Sequence, residues 1–329
     1  MSASSGCPFH DPASAISAIV RRTWQVPKAD GSRGRPLHDK THACLQGEFR
    51  VLPVAEERFR HGLFAEPGRY PARARFSSSL FHDDRQHDLR GLAIKLHGVT
   101  GEVCEGAPPG QQDFVLLNQS FFGPKDAADA LSLFSKLDGG GPITAAKLFV
   151  PDFIFPRFSL RGIRWYYLKW LLLTPWTHWR FRDLDRYVYH SVTPYRLGEE
   201  GIRYQVRPAA GVRRRSRGRT FRERLQSVLD QGPLIFDFLV QPREGDDEPL
   251  DDASVTWKLP GYRVAQLEIP PQDVAATVPE GDKIAFSPWN CLKAHSPLGS
   301  INAARRLAYR DSANDRGGDA RFPTTPIMN

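Results

Sequence analysis

Cysteine is scarce in this 329-residue chain, and the four present, Cys7, Cys44, Cys104 and Cys291, stand far apart. No CxxC pair occurs, which removes the usual zinc-site spacing and offers no disulfide framework, so free thiols are expected. Long apolar runs are missing as well. The most apolar stretch, Trp165–Trp179, is interrupted by Lys169 and Pro175 and is too short to cross a bilayer. The first ten residues carry neither the basic nor the apolar region of a secretory signal, so a cytoplasmic protein is expected. Acidic charge is in deficit: 37 Asp and Glu against 45 Lys and Arg leave a net charge of +8. That excess favours anionic partners without choosing among them.

A composition of 40% hydrophobic and 25% charged residues argues for a folded globule with a large core. The densest basic run, Arg213, Arg214, Arg215, Arg217 and Arg219, precedes a helix start with a capping box from Thr220 to Glu223. No nucleic-acid motif or interleaved aromatic accompanies the run, so it reads as a solvated loop and no nucleic-acid partner is expected.

Period-two alternation predicts strands at Glu48–Val54, Ala72–Ser77, Leu92–His97, Asp113–Asn118, Arg203–Arg207, Ile235–Gln241, Tyr262–Ile269 and Lys283–Ser287. Helical stretches are expected near Asp126–Lys136 and between Arg161 and Tyr189. The sum is an α+β protein: an antiparallel β-barrel of about eight strands with helical insertions. One domain spanning 31–320 is expected, with an N-terminal arm at 1–30 and a tail at 321–329. Trp165–Trp179 holds four of the seven tryptophans and is edged by Arg161, Arg164, Arg180 and Arg182. Two readings stay open for it: a core helix under the barrel, or a contact with a membrane surface.

Near the C-terminus, Ser296 and Pro297 read as the N-cap and first residue of a helix. On that helix Arg305 and Tyr309 stand four apart and share a face. A guanidinium beside a phenol favours the phenolate, and a phenolate can bind ferric iron.

The stretch Arg305-Arg306-Leu307-Ala308-Tyr309-Arg310-Asp311-Ser312, ending at Arg316, resembles the proximal heme motif of the catalases, R-x-F-x-Y-x-D-[ST] followed by arginine. Leu307 stands where that family usually has phenylalanine. The resemblance implies heme b as cofactor, Tyr309 as its iron ligand, Arg305 as the activator of the phenol and Arg316 as a propionate partner.

Further segments are similar to the same family. Thr41-His42-Ala43-Cys44-Leu45-Gln46-Gly47-Glu48-Phe49 is similar to its distal H-A-x-x-x-G-x-F. A histidine just before a strand can face the cofactor and move a proton between the two oxygens of a peroxide, which makes His42 the distal acid and base. Tyr70–Ser77 resembles the strand bearing R-F-S, implying Arg75 as a propionate partner and Ser77 as the hydrogen-bond partner that orients His42. Asp88–Lys95 is similar to R-D-x-R-G-x-A-x-K and reads as barrel structure. Asp113–Phe122 resembles the strand that supplies a distal asparagine, and the family's paired asparagines are here Leu117-Asn118, so Asn118 is the candidate.

The likeness covers about residues 35–316, in patches. Thr41 before His42 is what the catalase-related allene oxide synthases show, where ordinary catalases carry an aliphatic residue. It implies a histidine restrained by a hydroxyl, less dismutation of hydrogen peroxide and more work on organic or fatty-acid hydroperoxides. The expected function is therefore heme-dependent O–O cleavage. The alternatives are a heme carrier or sensor without turnover, and a membrane-surface lipid-binding protein.

Overall fold

The computed structural model describes residues 12–25, 27, 31–138, 147, 149–156, 162–180, 183–211 and 214–317, and for 174–180 the backbone alone. The expected tail at 321–329 lies outside the described residues, as do Cys7, Arg161, Arg182 and Arg213.

Nine strands form one antiparallel sheet: β1 (Lys40–Val51), β2 (Gly68–Ser78), β3 (Arg90–Val99), β4 (Gly110–Leu117), β5 (Tyr189–His190), β6 (Tyr195–Leu197), β7 (Glu200–Pro208), β8 (Leu234–Pro242) and β9 (Tyr262–Ile269). Their order is β5-β4-β3-β2-β1-β9-β8-β7-β6, and β5 also pairs with β7. The pairings Leu117↔His190 and Tyr189↔Val206 thus close an eight-stranded barrel, and β6 is an extra strand on β7. Closure satisfies the main-chain groups that an open edge would leave bare.

The bore of the barrel is full. Phe114 and Phe238 have ring centroids 4.6 Å apart, Phe49 and Phe238 5.1 Å, and all three are buried. Ala74, Phe76, Leu92, Ile94, Phe114 and Leu116 belong to this core. Side chains alternate faces along a strand, so the odd-numbered neighbours on β2, β3 and β4 point outward. They are in register across the strands: Arg75, Ala93 and Val115 form one row, and Ser77, Gly91 and Leu117 the next.

Seven helices accompany the barrel in the described residues: α1 (Pro12–Trp24), α2 (Ala127–Leu137), α3 (Pro151–Ile154), α4 (Trp165–Arg180), α5 (Phe221–Leu229), α6 (Val278–Lys283) and α7 (Ser300–Asp315). The capping box at Thr220 and Glu223 starts α5 as its sequence predicts, and Asp126 caps α2 by accepting from the Asp129 N–H.

Two expectations fail. Lys283–Ser287 is not a strand: α6 ends at Lys283, and side chains take up the backbone groups that follow. Arg35 donates to the carbonyls of Asp282 and Ile284, and Asp113 accepts from the Ser287 N–H. The eighth barrel strand is instead β5, two residues long and too short to show a period. The helix bearing Tyr309 starts at Ser300, not at Pro297, because the Asp251 carboxylate accepts from both the N–H and the hydroxyl of Ser300. Pro297 pairs with Tyr195 in an isolated bridge. Within the expected N-terminal arm lies helix α1, whose Ile16 and Val20 pack with Ala127 and Ala130 of α2 and Ala304 of α7.

The first half of α4 is a core helix. Tyr167 and Trp170 are buried against Phe153, and Tyr166 and Arg164 both donate to Asp129. Trp165 and Leu172 face outward, 64% and 67% exposed. No helix among the described residues is long and apolar enough to cross a membrane.

Candidate active site

A cavity of about 260 Å³ lies between the outer face of the barrel and the helices α1, α2 and α7. Its floor is the two outward rows of β2, β3 and β4, with Leu89 and Phe122 beside them. Its far side is α7, which contributes Arg305 and Tyr309, and α1 adds Ile16 and Val20. Most of the lining is apolar, so each polar group in it stands out.

The histidine in this cavity is His38, not His42. His38 has φ of 57°, a left-handed conformation costly for a residue with a side chain, and its Nδ1 lies 3.0 Å from the Ser77 hydroxyl. Gly91 is what lets the ring lie on the floor: a Cβ there would stand 2.7 Å from the imidazole and 2.8 Å from the Ser77 Oγ. Burial, followed by the charges of Arg75 and Arg35, lowers the His38 pKa to about 3, so the ring is neutral near pH 7.

His42 sits at a bulge in β1, where Thr41 pairs with Ser77 and Ala43 with Phe76. The extra residue turns its side chain away from the cavity. Its Nε2 lies 2.8 Å from the Ser78 hydroxyl and its ring packs edge-on against Phe221. Ser77 therefore orients His38 rather than His42. Thr41 does not restrain an imidazole either: its Oγ1 accepts from Arg75 Nη2 at 2.7 Å and Nε at 3.2 Å. The residue before the cavity histidine is Leu37, an aliphatic one.

Asn118 lies one residue past β4 and does not line the cavity. Its Oδ1 accepts from the Arg90 N–H, and its own N–H donates to the Arg90 carbonyl. Leu117 takes the place on the floor, next to Gly91 and Ser77.

On the far side, Arg305 Nη2 donates to the Tyr309 hydroxyl at 3.3 Å, and its guanidinium carbon lies 5.2 Å from the ring centroid. Arg305 Nη1 also donates to Thr193 Oγ1 and Asn302 Oδ1, each at 3.0 Å, which fixes the guanidinium beside the phenol. Burial would lower the Arg305 pKa, but Tyr309 and Tyr195 beside it raise it, so its charge is secure. Val192, the other described non-glycine residue with positive φ, at 64°, precedes Thr193.

Three arginines meet at the cavity: Arg35, Arg75 and Arg316. Burial and the neighbouring guanidiniums push Arg35 well down, and burial takes Arg75 to about 10. Their hydrogen-bond partners are neutral oxygens. Arg75 donates to Thr41 Oγ1 and the carbonyls of His38 and Gly281, while Arg316 reaches only the Asp282 carbonyl, at 3.4 Å, and keeps a buried, unpartnered Nε. Three clustered guanidiniums, hydrogen-bonded to neutral oxygens with the charges of Asp39 and Asp282 nearby, suit a ligand bearing carboxylates. Arg35 escaped the sequence reading, since no periodicity marks it. Its signal was an arginine three before a histidine in a Gly- and Pro-containing segment.

No protein-family model matches this sequence, and no curated protein matches it. Solved structures do. "Crystal structure of a Fungal Catalase at 1.9 Angstrom" superposes with a TM-score of 0.65 at 16% identity, over 87% of this chain and 60% of its own. Catalase A from Saccharomyces cerevisiae superposes with a TM-score of 0.64 at 16% identity, over 87% of this chain and 62% of its own. The fold is that of the catalases. The chain spans about 60% of the length of these two catalases, and at this identity the likeness is one of architecture. Among the described residues no group of three or more His, Cys, Asp or Glu is arranged to hold a bare metal ion. The catalase-like cavity does fit heme b: a phenol and an imidazole on its two sides, an apolar wall between, and arginines for two propionates.

Proposed function

We propose that this catalase-like protein binds heme b and cleaves the O–O bond of a hydroperoxide. Tyr309 would hold the iron, and Arg35, Arg75 and Arg316 the propionates. The observation that carries the reading is the pairing of His38 and Tyr309 across one apolar cavity with three arginines in its wall. When bound, ferric heme would supply the two electrons that reductive cleavage of the O–O bond requires.

The chain's own residues handle protons and position. Arg305 donates a hydrogen bond to the Tyr309 oxygen and, itself held by Thr193 and Asn302, fixes that oxygen's position in the cavity wall. Neutral His38 accepts the proton from the inner peroxide oxygen and returns it to the outer one, which leaves as water or an alcohol. Ser77 and the absence of a side chain at Gly91 set the ring for that transfer. Leu117, Val115 and Phe122 line the cavity with His38, and these apolar side chains favour an organic hydroperoxide with an apolar substituent over hydrogen peroxide.

The test is the absorption spectrum and turnover of the protein supplied with heme. The parent should show a tyrosinate-ligated ferric band and consume cumene hydroperoxide, and Tyr309→Phe should fold, hold heme weakly and lose that band. A Tyr309→Phe spectrum identical to the parent's would overturn the assignment.

A further inference from the structure

Cys104 and Cys291 are distant in sequence and opposite each other in space. Val103 and Leu292 form an antiparallel bridge, bounded by a hydrogen bond from the Cys104 N–H to the Cys291 carbonyl (2.9 Å) and one from the Lys293 N–H to the Glu102 carbonyl (2.8 Å). This arrangement puts Cys104 directly across from Cys291, and their sulfurs are 3.5 Å apart. Residues so paired have Cα atoms about 5.5 Å apart, within the range that a disulfide spans. Joining the sulfurs asks for a shift of about 1.5 Å, which side-chain rotation can supply.

The two thiols are not equivalent. Cys291 Sγ donates to Cys104 Sγ, and this hydrogen bond, helped by the positive charges of Arg306 and Lys293, holds the Cys104 thiol below its ordinary range. The same hydrogen bond and burial push Cys291 up. Cys104 is 6% exposed and Cys291 fully buried, so small reagents reach Cys104 first.

We infer that Cys104 and Cys291 form a dithiol that a hydroperoxide closes to an intramolecular disulfide. The Cys104 thiolate attacks one peroxide oxygen, the O–O bond breaks, and the other oxygen leaves with a proton as water or an alcohol. Cys104 is then a sulfenic acid. The Cys291 sulfur attacks it, the S–S bond forms, and the sulfenic oxygen leaves as water with the Cys291 proton. Two sulfurs are each oxidised by one electron and the two peroxide oxygens are each reduced by one.

The bond would tie the connection between β3 and β4 to the segment leading into α7. That segment is already attached there, because Arg306 of α7 donates to the Glu105 carbonyl at 2.8 Å. Oxidation would thus lock the base of the helix that carries Tyr309.

The test uses the reduced full chain, heme-free and heme-loaded, treated with one equivalent of hydrogen peroxide and then alkylated in denaturant and mapped by mass spectrometry. In the heme-free arm the Cys104 and Cys291 peptides should be joined with the loss of two hydrogen atoms, reversibly with dithiothreitol, while Cys44 is alkylated. That arm does not depend on heme binding, so it stands or falls apart from the proposed peroxide cleavage. Cys291→Ser should leave a sulfenic acid on Cys104 that dimedone traps, and Cys104→Ser should leave Cys291 unlabelled. Full alkylation of both cysteines after peroxide, or a sulfinic acid on either without a cross-link, would overturn the inference.

Discussion

Replacing Gly91 with alanine sets a methyl group 2.7 Å from the His38 ring and 2.8 Å from the Ser77 hydroxyl, so the ring must move. Gly91→Ala is expected to fold and retain heme while peroxide cleavage falls by about tenfold or more, because proton transfer depends on reach. His38→Ala should lose about a hundredfold or more at unchanged heme content, and His42→Ala should lose none per heme. Stopped-flow rates for the three variants decide it, and a His42 variant as impaired as His38→Ala would return the proton transfer to His42. Thr41→Val removes the acceptor of two Arg75 N–H groups, so it should speed heme loss rather than change the ratio of organic to hydrogen peroxide turnover. Heme transfer to apomyoglobin measures that rate. Part of the site was legible beforehand: Arg75, Ser77, Arg305, Tyr309 and Arg316, each named from a motif, all line one cavity, though Ser77 contacts His38 and not His42. The histidine was not, because a bulge at one position and a left-handed turn at the other decide between His38 and His42, and neither leaves a periodic trace. Asn118 was resolvable in principle. Phe114 and Leu116 point into the barrel, so parity assigns Val115 and Leu117 to the cavity face.

Helices α1 and α7 are joined by polar contacts along their length. Ser17 donates to Asp311 at 2.8 Å, Arg21 grips Asp315 through two bonds of 2.7 and 2.8 Å, and Gln25 donates to the Ser312 carbonyl at 2.9 Å. The Arg21 pair is partly exposed and contributes well under about 1 kcal/mol. The apolar contact matters more: Ile16→Ala removes a buried side chain that also walls the cavity, at a cost of about 2–5 kcal/mol. Urea unfolding should record that loss, and heme release should quicken in the same variant. Release at the parental rate would show that α1 is not part of the cofactor's enclosure. The alternation of apolar residues made the long strands legible, and its capping box made the start of α5 so. The closing strand β5, two residues long, was beyond any pattern.

The whole molecule carries several histidines kept neutral by burial. His38, His42 and His295 are depressed to about 3 and His190 to about 4, against an ordinary 6.5. Unfolded chains bind these protons from pH 6.5 downward while the fold refuses them, so stability is full above 6.5 and drains as pH falls toward 4. Each group contributes a slope of up to about 1.4 kcal/mol per pH unit. Urea midpoints of the heme-free protein should therefore drop between pH 7.5 and 5, and equal midpoints would mean that these rings are protonated in the fold. The filled bore of the barrel, with the cavity outside it, also has a temporal consequence. Helix α1 leaves the ribosome before every other described element, whereas its seat on α7 leaves after them. The enclosure forms only once α7 has emerged, so a cofactor would enter beside barrel strands that have all left the ribosome.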